Sequence, residues 1–198
     1  MHLPCCKHIG DILAHWDAGA TDSVIAKMNS HAAAMVMKQS HFADASGYSE
    51  QTVGTPTELV LAGEALMEVP VLAQIVQQQQ VDLPVAGTTF NVDYALGSQG
   101  IVGIKTGSAP KAGACFLFAA LEPVGGKAEM VFGAIISEPN LHRSFHAAPK
   151  PIAHRCPALT PMAAVSDIQA HAAYGAQLGS RTGLASTRTP RLVQRAQV

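Results

Sequence analysis

Lys105, Thr106, Gly107 and Ser108 follow one another at the end of an apolar stretch, Gly100-Ile101-Val102-Gly103-Ile104. The run places a cation, a hydroxyl and a residue without a side chain on one short length of chain. A lysine and a hydroxyl together suit an anionic group such as a carboxylate, through charge-assisted hydrogen bonds. A glycine in a strand marks a place where another backbone or a ligand comes close. The plainer reading makes Lys105 a solvated strand-end lysine and Thr106-Gly107 a turn. Ser108-Ala109-Pro110-Lys111 sets a serine and a lysine three residues apart. Pro110 argues against a helix there, so that spacing reads as coincidence. Cys5 with His8 as its base is a further nucleophile arrangement, but a cysteine near a chain end reads as inert.

A residue set like Lys105–Ser108 needs a rigid strand beneath it. The segments 101–107, 114–120 and 130–136 are apolar, and short turn-forming stretches separate them. They predict three consecutive antiparallel strands, the last pair joined across Pro123-Val124-Gly125-Gly126-Lys127. Thr88-Thr89-Phe90-Asn91-Val92 is also β-rich. Helices come first in the chain. Ile9, Leu13 and Trp16 share one face of a short helix ending near Gly19. Thr21 or Asp22 can cap the next, which runs to about Met37. The segment 41–47 reads as a loop. Thr55-Pro56-Thr57-Glu58 is a helix start, with Thr55 as the cap, Pro56 in the first position and Glu58 reaching back. Pro70 breaks that helix, Val71 to Val76 form another turn or two, and Gln77 to Gln80 are a short polar tract. Asn140 to Ala148 predicts a helix cut short by Pro149 and Pro151. Helices followed by a meander give a mixed α/β (α+β) sandwich.

The whole chain has 198 residues, of which 48% are hydrophobic and 14% charged, with a formal net charge of −1. That excludes a disordered polyelectrolyte. It offers no basic field for a phosphate backbone, and aromatics at 5% give little for base stacking, so no nucleic-acid partner is expected. The four cysteines, Cys5, Cys6, Cys115 and Cys156, form neither a zinc set nor a disulfide framework. The nine histidines read as scattered, without a shared helix face, so no metal and no cofactor are expected. No run of 18 apolar residues spans a membrane, and the first residues do not form a signal peptide.

Lys-Thr-Gly at the end of a buried strand is one of three motifs of the penicillin-binding serine acyl-transfer enzymes. Three longer stretches carry the likeness further. They are Met28-Asn29 through Phe42-Ala43-Asp44-Ala45-Ser46-Gly47, then Leu83-Pro84-Val85-Ala86-Gly87-Thr88-Thr89-Phe90-Asn91-Val92, then Gly100 to Ser108 running on into Ala112-Gly113-Ala114-Cys115-Phe116. In order and spacing they resemble the D-alanyl-D-alanine carboxypeptidases, the low-molecular-mass penicillin-binding proteins, from about Leu3 to Ser137.

The resemblance implies a penicillin-binding/β-lactamase-like transpeptidase fold and removal of the terminal D-alanine from peptidoglycan stem peptides. A serine attacks the D-Ala-D-Ala carbonyl, and water releases the acyl-enzyme. It implies that Lys105 is catalytic, that Thr106, Gly107 and Ser108 bind the substrate's carboxylate end, and that a backbone N–H beside them serves the oxyanion. It further implies a stem peptide or β-lactam as partner and a cell-envelope location. As written, the chain would stay in the cytoplasm.

Two departures stand out. The family's nucleophile motif, Ser-x-x-Lys on a helix, has no counterpart here. Leu3-Pro4-Cys5-Cys6-Lys7 lines up with the family's Leu-Pro-Ser-x-Asn, so Cys5 replaces the serine and Lys7 the asparagine. The chain therefore reads as the C-terminal part of a carboxypeptidase. Residues 1–148 are an incomplete penicillin-binding domain, and 149–198 are a weakly structured tail that starts a further domain. Loss of the nucleophile helix is expected to uncover one face of the sheet. A non-catalytic peptide-binding module and a β-lactamase-like relative are the other readings.

Overall fold

The computed structural model describes residues 7–124, 127–148 and 191–192. Cys5, the Gly125-Gly126 tip and nearly all of the expected tail lie outside the described residues.

Helices α1 (Lys7–Ala18) and α2 (Thr21–Ala34) contact each other, and Lys27 of α2 is ion-paired with Asp17 of α1. Gly19, at φ 70°, ends α1 by sending its N–H back to the His15 carbonyl at 2.8 Å. The residue at the cap of α2 is Ala20, with no side-chain cap bond, rather than Thr21 or Asp22. The link is so short that Thr21 is already helical. Helix α2 also stops earlier than its apolar pattern suggests. Val36 turns left-handed at φ 62°, and the Met37 N–H returns to the Ala32 carbonyl, which buries Met37.

Helix α3 (Pro56–Met67) starts as the sequence predicts: Thr55 accepts from the Glu58 N–H, and Pro56 takes the first position. Glu58 does not reach back to its own cap. It is buried, and its carboxylate accepts from the Gln39 N–H at 2.9 Å and the Ser40 hydroxyl at 2.6 Å. The N-terminus of α3 is thereby tied to the chain leaving α2. Pro70 opens α4 (Pro70–Val76). Strands β1 (Gln80–Leu83) and β2 (Gly87–Phe90) make a small antiparallel sheet, with Gln80 opposite Phe90. The glutamine tract thus ends inside a strand.

The principal sheet has the order β3-β4-β5-β6. Strands β3 (Ile101–Ala109), β4 (Gly113–Val124) and β5 (Lys127–Glu138) are the expected antiparallel meander. The short β6 (Arg191–Leu192) lies parallel to β5. Helix α5 (Leu141–Ala147) comes directly after β5 in the chain and is capped by Asn140, whose side chain accepts from the Arg143 N–H at 3.0 Å.

Alternation along β4 divides the core in two. Phe116, Phe118 and Ala120 pack with Ile101, Ala95 and Ala148, and Phe145 of α5 closes over them. Phe116 meets the Phe145 ring edge-to-face at 5.1 Å. Ala119 faces the other way, with Val60 of α3, Ile104, Phe132 and Ala134. Each large side chain buried this way is worth about 1.5–3 kcal/mol. Both faces of the sheet are therefore covered, by α5 on one side and by α3 and α4 on the other, which corrects the expectation of a bare face. Helix α1 carries one exposed apolar face, with Ile9, Ile12, Leu13 and Trp16 all facing solvent, Trp16 at 83% exposure, and α4 carries another in Val71, Leu72 and Ile75. Among the described residues, no single helix is long and apolar enough to cross a membrane.

Candidate functional site

Strand β3 is an edge. Among the described residues β4 pairs with one side of it and no strand pairs with the other. Its second half carries Lys105, Thr106, Gly107 and Ser108, opposite Leu117, Phe116, Cys115 and Ala114 of β4. Thr106 is buried, while Lys105 and Ser108 are exposed. The Lys105 ammonium donates to the Thr106 carbonyl, folding back along its own strand. The sequence motif therefore sits on rigid, well-packed backbone with its cation on the surface.

Gly107 is informative because the chain itself does not require it. Its φ is not positive, and a Cβ built there meets nothing within 4 Å. Gly133 is different: a Cβ there would collide with the Phe118 ring. Ordinary packing explains Gly133 and leaves Gly107 unexplained.

Ser108 and Lys111 form no helical pair. Ser108 lies in β3, and Lys111 lies in the β3–β4 turn, ion-paired with Glu50. Of the expected second motif, Cys5 lies outside the described residues. Lys7 is the first residue of α1.

The loop carrying Glu50 is itself organised. Asp44 accepts from the Ser46 hydroxyl at 2.6 Å, the Thr52 hydroxyl at 2.8 Å and the Tyr48 N–H at 2.8 Å. Burial alone would raise its pKa, but the bonds from Ser46, Thr52, Tyr48 and Ser49 outweigh that and bring it down to about 2. Asn29 of α2 fastens the start of the loop through the Phe42 backbone. Sequence reading marked 41–47 as a loop and missed these anchors. Their signal was an Asp-x-Ser pattern, the composition of an Asx turn.

Two other carboxylates are unusual. Burial pushes Glu64 up to about 7, with the Glu68 charge adding to it, and pushes Asp93 up to about 6 against hydrogen bonds from the Ala95 and Leu96 backbone. Each has one oxygen without a hydrogen-bond partner. An open groove of about 590 Å³ lies along α1, lined by Asp11, Ile12, His15, Trp16 and Thr21, and none of these belongs to β3.

A helix-covered antiparallel meander with Lys-Thr-Gly on its edge strand defines the penicillin-binding transpeptidase fold, and solved structures agree. The D-alanyl-D-alanine carboxypeptidase from Mycobacterium tuberculosis is 30% identical, with a TM-score of 0.57, covering 65% of this chain and 49% of its own. Penicillin-binding protein D2 from Listeria monocytogenes, solved in its cefotaxime-bound form, is 26% identical, with a TM-score of 0.56, covering 64% of this chain and 52% of its own. A penicillin-binding protein homologue from Mycobacterium tuberculosis is 25% identical, with a TM-score of 0.59, covering 74% of this chain and 60% of its own. The chain thus spans about half to three-fifths of the length of these relatives. No curated protein matches it.

The model of the D-alanyl-D-alanine carboxypeptidase family matches residues 12–134, and the chain belongs to that family.

Proposed function

We propose that this chain carries the substrate-binding strand of a D-alanyl-D-alanine carboxypeptidase. The free edge of β3 receives the extended end of a stem peptide, or the β-lactam that mimics it, by strand addition. Lys105 supplies a cation, Thr106 and Ser108 border the carboxylate, and the backbone N–H at 108 serves the oxyanion. Gly107 carries this reading: its missing side chain serves no internal packing and no special backbone angle, so closeness to an outside partner remains as its reason.

Residues 1–148 are, on this reading, an incomplete penicillin-binding domain. The chain holds Lys-Thr-Gly without a helical Ser-x-x-Lys, so it binds and does not turn over substrate unaided. The exposed apolar face of α1, centred on Trp16, fits a surface that the remainder of such a domain covers.

Intact-mass analysis of the full chain after incubation with penicillin tests the catalytic part. No adduct is expected, and a penicilloyl group on one of its own serines would overturn it. The roles along β3 are tested in a completed domain carrying Ser-x-x-Lys and with Ser-x-Asn restored at positions 5 and 7. Lys105→Ala should slow acylation roughly ten- to a thousandfold, the equivalent of about 1.5–4 kcal/mol. Thr106→Val should cost less and Ser108→Ala least, because the N–H at 108 survives that change. If Ser108→Ala proved the most damaging, these assignments would be wrong.

A further inference from the structure

His142 and His146 stand four residues apart on α5, so their rings lie on one helix face. This corrects the sequence reading in which the histidines shared no helix face. Their Nε2 atoms are 3.1 Å apart, a hydrogen bond between the rings that a shared ion would replace, with ring centroids at 4.3 Å, and both residues are exposed. The helix beneath them is firmly seated. Ser144, between the two histidines, is fully buried, and Phe145 packs on Phe116. Asn140 caps the first turn, and the Ala148 N–H returns to the Ser144 carbonyl at 3.1 Å. The imidazoles are thus presented outward on a short helix that the core holds in place.

We propose that His142 and His146 form a two-imidazole chelate for a borderline divalent transition-metal ion, with water completing its coordination. Imidazole nitrogens bind such ions at about 2.0–2.1 Å, so two of them lie about 2.8–3.0 Å apart at neighbouring positions of a square-planar ion and about 3.3–3.4 Å apart on a tetrahedral one. The observed 3.1 Å lies between the two values, so an adjustment of a few tenths of an ångström in the side chains reaches either without moving the helix. Imidazole without thiolate or carboxylate suits copper(II), nickel(II) and zinc(II), with copper(II) the strongest. The ion bridges successive turns of α5 and binds the folded chain in preference to the unfolded one. It lies outside the β3 strand, and the proposal does not depend on the peptidase reading.

The test uses the full chain with copper(II) chloride, comparing His142→Asn, His146→Asn and, as a control on α1, His15→Asn. Calorimetric titration should show a copper-binding event that is weakened by about tenfold or more in each α5 variant and unchanged in the control. Electron paramagnetic resonance at one equivalent should show two equivalent nitrogen donors in the wild type and not in either α5 variant, a signature that does not depend on protein stability. Circular dichroism should be alike for all four proteins, because the substituted side chains are exposed. If the α5 variants bind copper as the wild type does, or the resonance signature survives in them, the ion is held elsewhere and the proposal is wrong.

Discussion

The Asn29 side chain clasps the backbone of Phe42 with both ends of its amide. Oδ1 accepts from the Phe42 N–H at 2.9 Å, and Nδ2 donates to the Phe42 carbonyl at 2.7 Å. Nδ2 also donates to the Ile25 carbonyl at 3.0 Å, so one residue joins α2 to the loop that follows it. Asn29→Ala removes both loop bonds and should cost about 1–3 kcal/mol, at about 0.5–1.5 kcal/mol for each part-buried bond. Asn29→Asp keeps the acceptor but turns a donor into a charge facing two carbonyls, and should cost at least as much. Urea midpoints at an unchanged slope measure both. An Asn29→Asp protein as stable as the wild type would refute the clasp.

Glu58 makes a second tie between the same regions. Its buried carboxylate accepts from Gln39 and Ser40, so Glu58→Ala strands two donors. The expected loss is about 3–6 kcal/mol, at about 1.5–3 kcal/mol for each bond to a carboxylate. Glu58→Gln retains one acceptor oxygen and should fall between alanine and wild type. Equal stability of the three proteins would show that the tie contributes nothing.

These two residues also mark what the sequence disclosed. The helix start at Thr55-Pro56 and the three-strand meander were legible because capping chemistry and apolar runs are local signals. Glu58 was predicted to be part of its own cap, since nothing local shows that Gln39 and Ser40 lie beside it. Lys105 to Ser108 was legible as a set because all four residues are consecutive on one strand. The open edge of β3 was not, because an edge is a property of the sheet's order. The cover of the sheet was misjudged for the same reason: α5 and α3 lie on opposite faces, and only tertiary contacts reveal it.

Glu64 and Asp93 contribute a pH dependence of one sign to stability. Their folded pKa values, about 7 and about 6, lie above the ordinary 4.5 and 3.8. Between those limits the folded chain binds more protons than the unfolded chain, so stability falls as pH rises. The Glu64 contribution is fully present below pH 4.5 and lost as pH rises through about 7. Asp44 acts in the opposite sense: at about 2 against an ordinary 3.8, it contributes stability that disappears as acid takes the pH through that lower window. Glu64→Gln should flatten the decline between pH 5 and 7, windows set by these pKa values, and make the protein more stable than wild type at pH 8. Thermal unfolding across that range measures it, and an unchanged slope in Glu64→Gln would assign the decline to other groups.

Gly107 and Gly133 differ in what the fold itself asks of them. At Gly133 a Cβ would stand 2.7 Å from Cε1 of Phe118, in the packed middle of the meander. Gly133→Ala should therefore destabilise by about 1–3 kcal/mol, as over-packing does. At Gly107 a Cβ meets nothing within 4 Å and the backbone angle is ordinary. A β-branched side chain suits a strand, so Gly107→Val should leave stability unchanged or slightly raised. Its effect should fall on binding instead. A peptide ending in D-Ala-D-Ala, titrated against the labelled full chain, should shift the backbone amides of β3 in the wild type. In Gly107→Val the new side chain stands where that peptide's backbone must come, and losing even one or two ladder bonds at about 0.5–1.5 kcal/mol each weakens binding about tenfold. A Gly107→Val protein that is stable and still binds the peptide as the wild type does would remove the β3 edge from consideration as the binding strand. One that is strongly destabilised would show that Gly107, like Gly133, is needed by the fold.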